Sequence, residues 1–285
     1  MHRDTVRVLG AALLCAASVA SAADPTFLKR SIASARPQME APGVTYKPLF
    51  GAGDPDARHL RSIARYGELA LEPKAKSTPT KYPAEEQLYY VLEGTGEVTC
   101  DDERSPVKAG DFLYLPPNST HGIENTGAAQ LRLLVMGFRV PKAATPPPAQ
   151  KLMIANTADV PFQTLASHGP TTQFALLVGT TESKRDKLAA ASQMASLFIM
   201  DFAPGGTNIP HHHETEEEIY FVLKGSGEMV AGGGADGNEG RYPTKEGDAW
   251  FVRLNTTVGF YSAAKSGSPH DQILAVRSTF PFRRP

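Results

Sequence analysis

The sequence predicts an all-β protein made of two barrel- or sandwich-like domains in tandem, and three observations carry that expectation. Short runs rich in β-branched and aromatic residues are separated by Gly, Pro and Asn turn signals, the rhythm of sandwiches and barrels. The whole run of strands occurs twice: a shift of 131 residues lays Pro73 on Pro204 and Pro79 on Pro210. The same shift lays Glu85-Glu86 on Glu216-Glu217, Tyr89 on Tyr220, and Gly94 and Gly96 on Gly225 and Gly227, without a gap. Self-similarity at this period marks a duplicated domain rather than a solenoid. Between the copies lies PKAATPPPAQ, residues 141–150, a Pro/Ala segment stiffened toward polyproline geometry.

Taken in order, the chain of 285 residues opens like an exported protein. Arg3 and Arg7 precede an apolar run, Val8 to Ala20, and Ala20-Ser21-Ala22 fits the small-x-small cleavage rule. That run is shorter than the roughly 20 residues a membrane span takes. The expectation is a signal peptide over 1–22, a mature chain from about Ala23, a periplasmic or secreted location and no membrane contact after cleavage. Cys15 leaves with the signal, so Cys100 remains alone. With no internal disulfide to form, stability must come from the core, and Cys100 reads as a buried strand thiol. The formal net charge of -1 and the scattered basic residues argue against nucleic acid as a partner.

Residues 24 to about 60 read as a wrapping arm with one or two strands. Strands are expected at Arg65–Leu71, Gln87–Leu92, Gly96–Cys100, Asp111–Leu115 and Leu131–Phe138, completing a first domain over 23–140. After the 141–150 linker, SKRDKLAAASQM within Thr181–Met194 predicts a short helix before the second strand run. Strands are then expected at Ala195–Phe202, Ile219–Leu223, Gly227–Val230, Ala249–Leu254 and Ile273–Thr279, in a second domain over 151–285. AGGGADGNEG, residues 231–240, reads as a flexible hairpin.

The chemistry concentrates in GGTNIPHHHETEEEIYFVLKGSG, Gly205 to Gly227. On extended chain, residues two apart face the same side, so His211 and His213 reach one cavity while His212 points away. A hairpin brings Glu218 back toward them. Neutral imidazole and carboxylate are the ligands of divalent first-row metals. The spacing Gly205-x5-His211-x-His213-x4-Glu218-x6-Gly225 resembles the first motif of the cupin superfamily. With the internal repeat, the chain looks like a bicupin, which implies two double-stranded β-helix (jelly-roll) domains, each with a cavity lined by strand side chains. Cupins often pair through their sheet faces. The tandem copies can satisfy that pairing within one chain, which leaves a homodimer open.

The family's second motif, Gly-x5-Pro-x-Gly-x2-His-x3-Asn, supplies a further ligand. The first copy carries it as Gly110, Pro116, His121 and Asn125, with Asn118 in place of the inner glycine. Its first motif has lost the ligands: Thr80 and Tyr82 stand at the histidine positions and Gln87 at the glutamate. A metal-free first copy follows, with His121 either a pocket hydrogen-bonder or a satisfied core residue. The second copy is the converse. Its second motif runs Gly247, Arg253, Asn255, Val258 and Ser262, with Val258 where the histidine belongs.

Three protein ligands therefore remain, His211, His213 and Glu218, unless Asn255, Tyr261 or His270 moves in. Such a set is either a facial two-His, one-carboxylate site with open positions for Fe, Mn, Zn or Ni, or a decayed one. Glu217 and its acidic neighbours, Glu214 and Glu216, read as a solvated turn, or one of them hydrogen-bonds a ligand imidazole or serves as a base. Arg253 is either a partner for a substrate carboxylate or a surface residue. Trp250, Phe251, Phe260 and Tyr261 read as barrel core.

Similar bicupins include quercetinase-like dioxygenases, oxalate decarboxylases and ureidoglycine aminohydrolases. The expectation is a metalloenzyme acting on a small oxygen-rich substrate as dioxygenase, decarboxylase, lyase or isomerase. The alternative is a non-catalytic module that binds a sugar or other small molecule.

Overall fold

The computed structural model describes residues 25–142, 144–233 and 239–279. The expected signal peptide and the tip of the Gly-rich hairpin lie outside the described residues. The first part of the chain runs β1 (Phe27–Ser31), β2 (Gln38–Ala41), β3 (Val44–Gly51), β4 (Ile63–Leu71), β5 (Thr80–Lys81) and β6 (Glu85–Glu93). It continues with β7 (Thr95–Cys100), β8 (Glu103–Lys108), β9 (Asp111–Leu115), β10 (Thr120–Asn125) and β11 (Leu131–Arg139). The second part runs β12 (Met153–Asn156), β13 (Gln163–Thr164), β14 (Thr172–Thr180), β15 (Leu188–Ala191), β16 (Met194–Phe202) and β17 (Glu216–Lys224). It closes with β18 (Ser226–Gly232), β19 (Glu239–Lys245), β20 (Asp248–Val252), β21 (Thr257–Ser262) and β22 (Asp271–Thr279).

Each copy is a large sheet over a small one. The first copy packs β12-β9-β6-β11-β4-β3-β2 against β5-β10-β7-β8. The second packs β1-β20-β17-β22-β16-β14-β13, with β15 on β14, against β19-β18-β21. The two large sheets exchange edge strands: β1, from the arm ahead of the first copy, pairs with β20, and β12, beyond the Pro/Ala segment, pairs with β9. Gly94 and Gly225, with φ 85 and 84, turn the chain from the large sheet into the small one, between β6 and β7 and between β17 and β18. A Cβ at Gly225 would overlap the Asp271 carboxylate, so the glycine that closes the first motif is needed there.

Alternation along the strands builds three cores. Tyr89, Val91, Leu113 and Leu133 fill the first barrel, and Tyr220, Val222, Trp250 and Phe260 the second. The opposite faces of the large sheets, with Leu88, Phe112 and Met136 on one side and Ile219, Phe221 and Phe251 on the other, form a third core between the copies. The pairing of sheet faces is thus made inside the chain. Buried carboxylates clasp it: Glu86 accepts the backbone N–H groups of Ser192, Gln193 and Met194, all at 2.8 Å. Its repeat equivalent Glu217 accepts from the backbone of Arg61 and Ser62 in the other copy.

The helix expected within Thr181–Met194 is not formed. Ser183 and Asp186 close a turn through their side chains, and Leu188–Ala191 becomes β15, parallel to β14. Helix propensity distinguishes these residues by only some tenths of a kcal/mol each. Burying Leu188, Ala190 and Ala191 in the core between the sheets outweighs it.

Candidate metal centre

The site is built where the loop after β16 returns to β17. His211 forms an antiparallel bridge with Val258, its N–H donating to the Val258 carbonyl at 2.9 Å and the Val258 N–H returning at 2.8 Å. Extended chain then carries His213 to the same side and leaves His212 exposed. Glu218, on β17, is 1 % exposed. One ligand atom from each of His211, His213 and Glu218 lies within 4.8 Å of the others, and His213 Nε2 stands 3.4 Å from Glu218 Oε2.

Both oxygens of Glu218 and Nε2 of His213 are buried with no hydrogen-bond partner. Burying an unpaired carboxylate costs several kcal/mol, and structures keep such groups where an ion or proton compensates them. A divalent cation bound by two imidazoles and one carboxylate satisfies all three orphaned atoms, so the residues fit a metal. The next shell is prepared for it. A carbonyl can only accept, so the 2.9 Å contact of His211 Nδ1 with the Ile209 carbonyl puts the proton on Nδ1 and aims the Nε2 lone pair at the site. Burial pushes the His211 pKa down, against that hydrogen bond and Glu218, so the ring is held neutral as a ligand must be. Glu216 lies 3.7 Å from His213 Nδ1 and pairs with Arg277 at 3.2 Å.

A cavity of about 160 Å3 opens on the three ligands. Phe174, Leu176, Phe198 and Met200 wall it, and His168, Arg185, Ser196, Tyr220 and Arg277 add further polar groups. His168 packs its ring 5.0 Å from that of His211 and donates from Nδ1 to the Asn208 carbonyl at 3.3 Å. Burial, then His211, lowers its pKa, opposed by the Asn208 bond and Glu218. Arg277 stands opposite Glu218 in the β17–β22 register, and its Nε is buried without a partner.

The sequence reading misses both residues. Arg277 had a signal, because it continues the barrel-facing set Ile273 and Ala275 as a lone charge on an apolar face. His168 had none, since residues 157–168 follow no period.

Other expected residues lie elsewhere. Glu217 faces the other copy, not the ligands, as alternation with Glu218 requires. Arg253 lies off the cavity, its backbone N–H bonded to the Thr26 carbonyl. Asn255 is an exposed turn residue at φ 57 whose N–H donates to the His213 carbonyl, so it supports a ligand without being one. Tyr261 lies under the Arg241 guanidinium, and His270 pairs with Asp201. Val258 is packed in the second barrel core. In the first copy Tyr82, Gln87 and His121 line one cavity, and among the described residues no group there could share an ion. Cys100 is buried, as a strand thiol should be.

Comparison with known proteins bears on the fold and the family. The family profile described as "Cupin domain" matches residues 67–137 and 198–265. An uncharacterised protein of Methanocaldococcus jannaschii is 41% identical over 64 residues, 22% of this chain and 51% of that one. The chain thus spans about half the length of that relative. The oxalate-binding protein of Thermotoga maritima is 29% identical over 93 residues, 30% of this chain and 77% of that one. Among solved structures, protein YlbA from E. coli superposes with a TM-score of 0.68 at 17% identity, covering 94% of this chain and 97% of that one. Bacillus subtilis oxalate decarboxylase, in a study of its Mn(II) centres, superposes at 0.64 with 14% identity over 90% and 78% of the two chains. At these identities the superpositions show the fold.

Proposed function

The chain is a bicupin with jelly-roll domains in tandem, and from that premise we propose a metal-dependent enzyme of lyase type acting on a small carboxylate in its second copy. One observation carries the reading: the residues that hold three orphaned ligand atoms, and Arg277 with its unpartnered Nε, line a single small cavity. The likeness to an oxalate-binding protein and to oxalate decarboxylases supports a short dicarboxylate such as oxalate as substrate, and manganese as the metal. The signal-like start of the sequence supports a periplasmic or secreted location.

His211, His213 and Glu218 hold the ion, which when bound polarises a substrate oxygen as a Lewis acid. Arg277, with Nη1 tied to Glu216, holds its guanidinium at the cavity wall, where its charge can pair with the substrate carboxylate and fix its orientation. The Phe174, Leu176, Phe198 and Met200 walls exclude water and strengthen these charged contacts. His168, neutral and protonated on Nδ1, keeps an Nε2 lone pair at the cavity edge that can take a proton from a bound acid and return it to product.

The test is a turnover screen of chelator-stripped protein reloaded with Mn, Fe, Zn or Ni, using oxalate and related short carboxylates. Carbon dioxide or product release that needs the metal and disappears in His211→Ala is expected. Saturable carboxylate binding with no turnover under any metal would overturn the enzyme and leave a binding protein.

A further inference from the structure

We propose that the cavity of the first copy is a second, metal-free binding site for a small, uncharged, hydroxyl-bearing molecule of the sugar or cyclic-polyol class. The inference is independent of whether the second copy is catalytic. This cavity, about 220 Å3, lies in the first barrel where the second barrel holds its ligand set. That is far above the roughly 10–15 Å3 that one water takes, and below the roughly 300–1,000 Å3 of drug-sized sites.

Three buried polar atoms reach this region with no hydrogen-bond partner: Tyr46 Oη, Gln87 Oε1 and one ring nitrogen of His121, whose ring also meets the Ser119 backbone. The three residues are 8 %, 1 % and 3 % exposed. Folded proteins leave few such atoms orphaned, because each costs about 1–3 kcal/mol. Three around one cavity is the pattern of a site made for a polar guest. The orientation of Gln87 is set: its Nε2 donates to Glu85 at 2.8 Å, so the oxygen is the free end.

The charges decide the class of guest. The one lining cation, Arg65, pairs with Glu85 at 3.1 Å through Nε and lies on the Tyr82 ring at 3.9 Å. Glu40 is the one carboxylate of the lining. With Arg65 already neutralised by Glu85 and Glu40 at the wall, the cavity offers an anion no uncompensated cation. Burial lowers the His121 pKa against a hydrogen bond with the Ser119 backbone, with Arg65 adding to the lowering and Asp101 opposing it. The free nitrogen of a neutral imidazole offers a donor or an acceptor, a tyrosine hydroxyl offers both, and Gln87 offers an acceptor. Hydroxyl groups complement that mixture. The Tyr82 and Tyr89 rings, 5.7 and 5.8 Å from the His121 ring, give the apolar walls against which the C–H face of such a molecule packs.

The experiment is calorimetric titration of the full mature chain with D-xylose and with myo-inositol, and with oxalate as the charged control. Saturable binding of a neutral probe is expected, weakened at least about tenfold in Gln87→Leu and in His121→Phe and unchanged in His211→Ala. Without probe, Gln87→Leu should melt close to the wild-type temperature, since removing an orphaned acceptor offsets the lost hydrogen bond to Glu85; this separates lost binding from lost folding. The proposal is overturned if neither neutral probe binds, or if binding survives both first-copy substitutions. It is also overturned if the His211→Ala chain binds oxalate in this cavity instead, or if Gln87→Leu melts well below wild type.

Discussion

Replacing Glu217 by alanine tests how the two copies are held together. Its carboxylate accepts the Arg61 N–H at 2.8 Å, the Ser62 N–H at 2.8 Å and the Ser62 hydroxyl at 2.7 Å. The hydroxyl has a second partner in Ser278 at 2.6 Å, so the substitution strands two backbone donors. At about 1–3 kcal/mol each, the loss is about 2–6 kcal/mol. Relief from burying a carboxylate returns part of this, which places the expected loss near 3 kcal/mol. For a chain of this size that lowers the melting temperature by about 6–12 °C in scanning calorimetry. Glu217→Gln keeps one acceptor oxygen and should fall between. Glu86→Ala strands three donors in the opposite loop and should lose at least as much. A loss below about 1 kcal/mol in both alanine variants would refute the clasp, meaning that water satisfies these loops and the sheet faces alone join the copies.

Arg277→Ala should lower kcat/KM toward a carboxylate substrate about 10- to 100-fold, the worth of a charge-assisted hydrogen bond, while metal content stays unchanged. Val258→His restores a ligand type at the second-motif position and should slow metal loss to a competing chelator about tenfold or more, measured by dialysis. Stability should also depend on pH through His121. Its pKa is lowered in the fold from an ordinary value of 6.5, so the unfolded chain takes up the proton first as pH falls. The contribution is present above 6.5 and lost as pH drops through that value toward the folded pKa. His121→Phe should flatten this part of the melting-temperature profile, and an unchanged profile would contradict the assignment.

The central strands of both large sheets were legible because each combines apolar residues with turn signals, as in Ile219–Leu223 closed by Gly225. Of the small-sheet strands only Gly96–Cys100 and Gly227–Val230 were, and several edge strands were not. Glu103–Lys108 and Glu239–Lys245 are polar, and each carries a proline, Pro106 and Pro243, which sequence reasoning takes as a break and an edge strand tolerates. The strand exchange of Phe27–Ser31 and Met153–Asn156 leaves no local mark, since it depends on which sheet edge lies near. In the site, His211, His213 and Glu218 were readable from spacing alone. Glu217 was misassigned although strand period already sends it to the face opposite Glu218. The roles of Asn118 and Asn255 follow from their repeat position, both at positive φ and bonded to the carbonyls of Tyr82 and His213. A glycine position of the family motif is thus filled by asparagine for the same backbone reason.

The most direct measurement is the metal content of the purified chain by elemental analysis. The account predicts one divalent ion per wild-type chain, none in His211→Ala or Glu218→Gln, and one in His121→Phe. Two ions per chain, or an ion retained without His211 and Glu218, would contradict it.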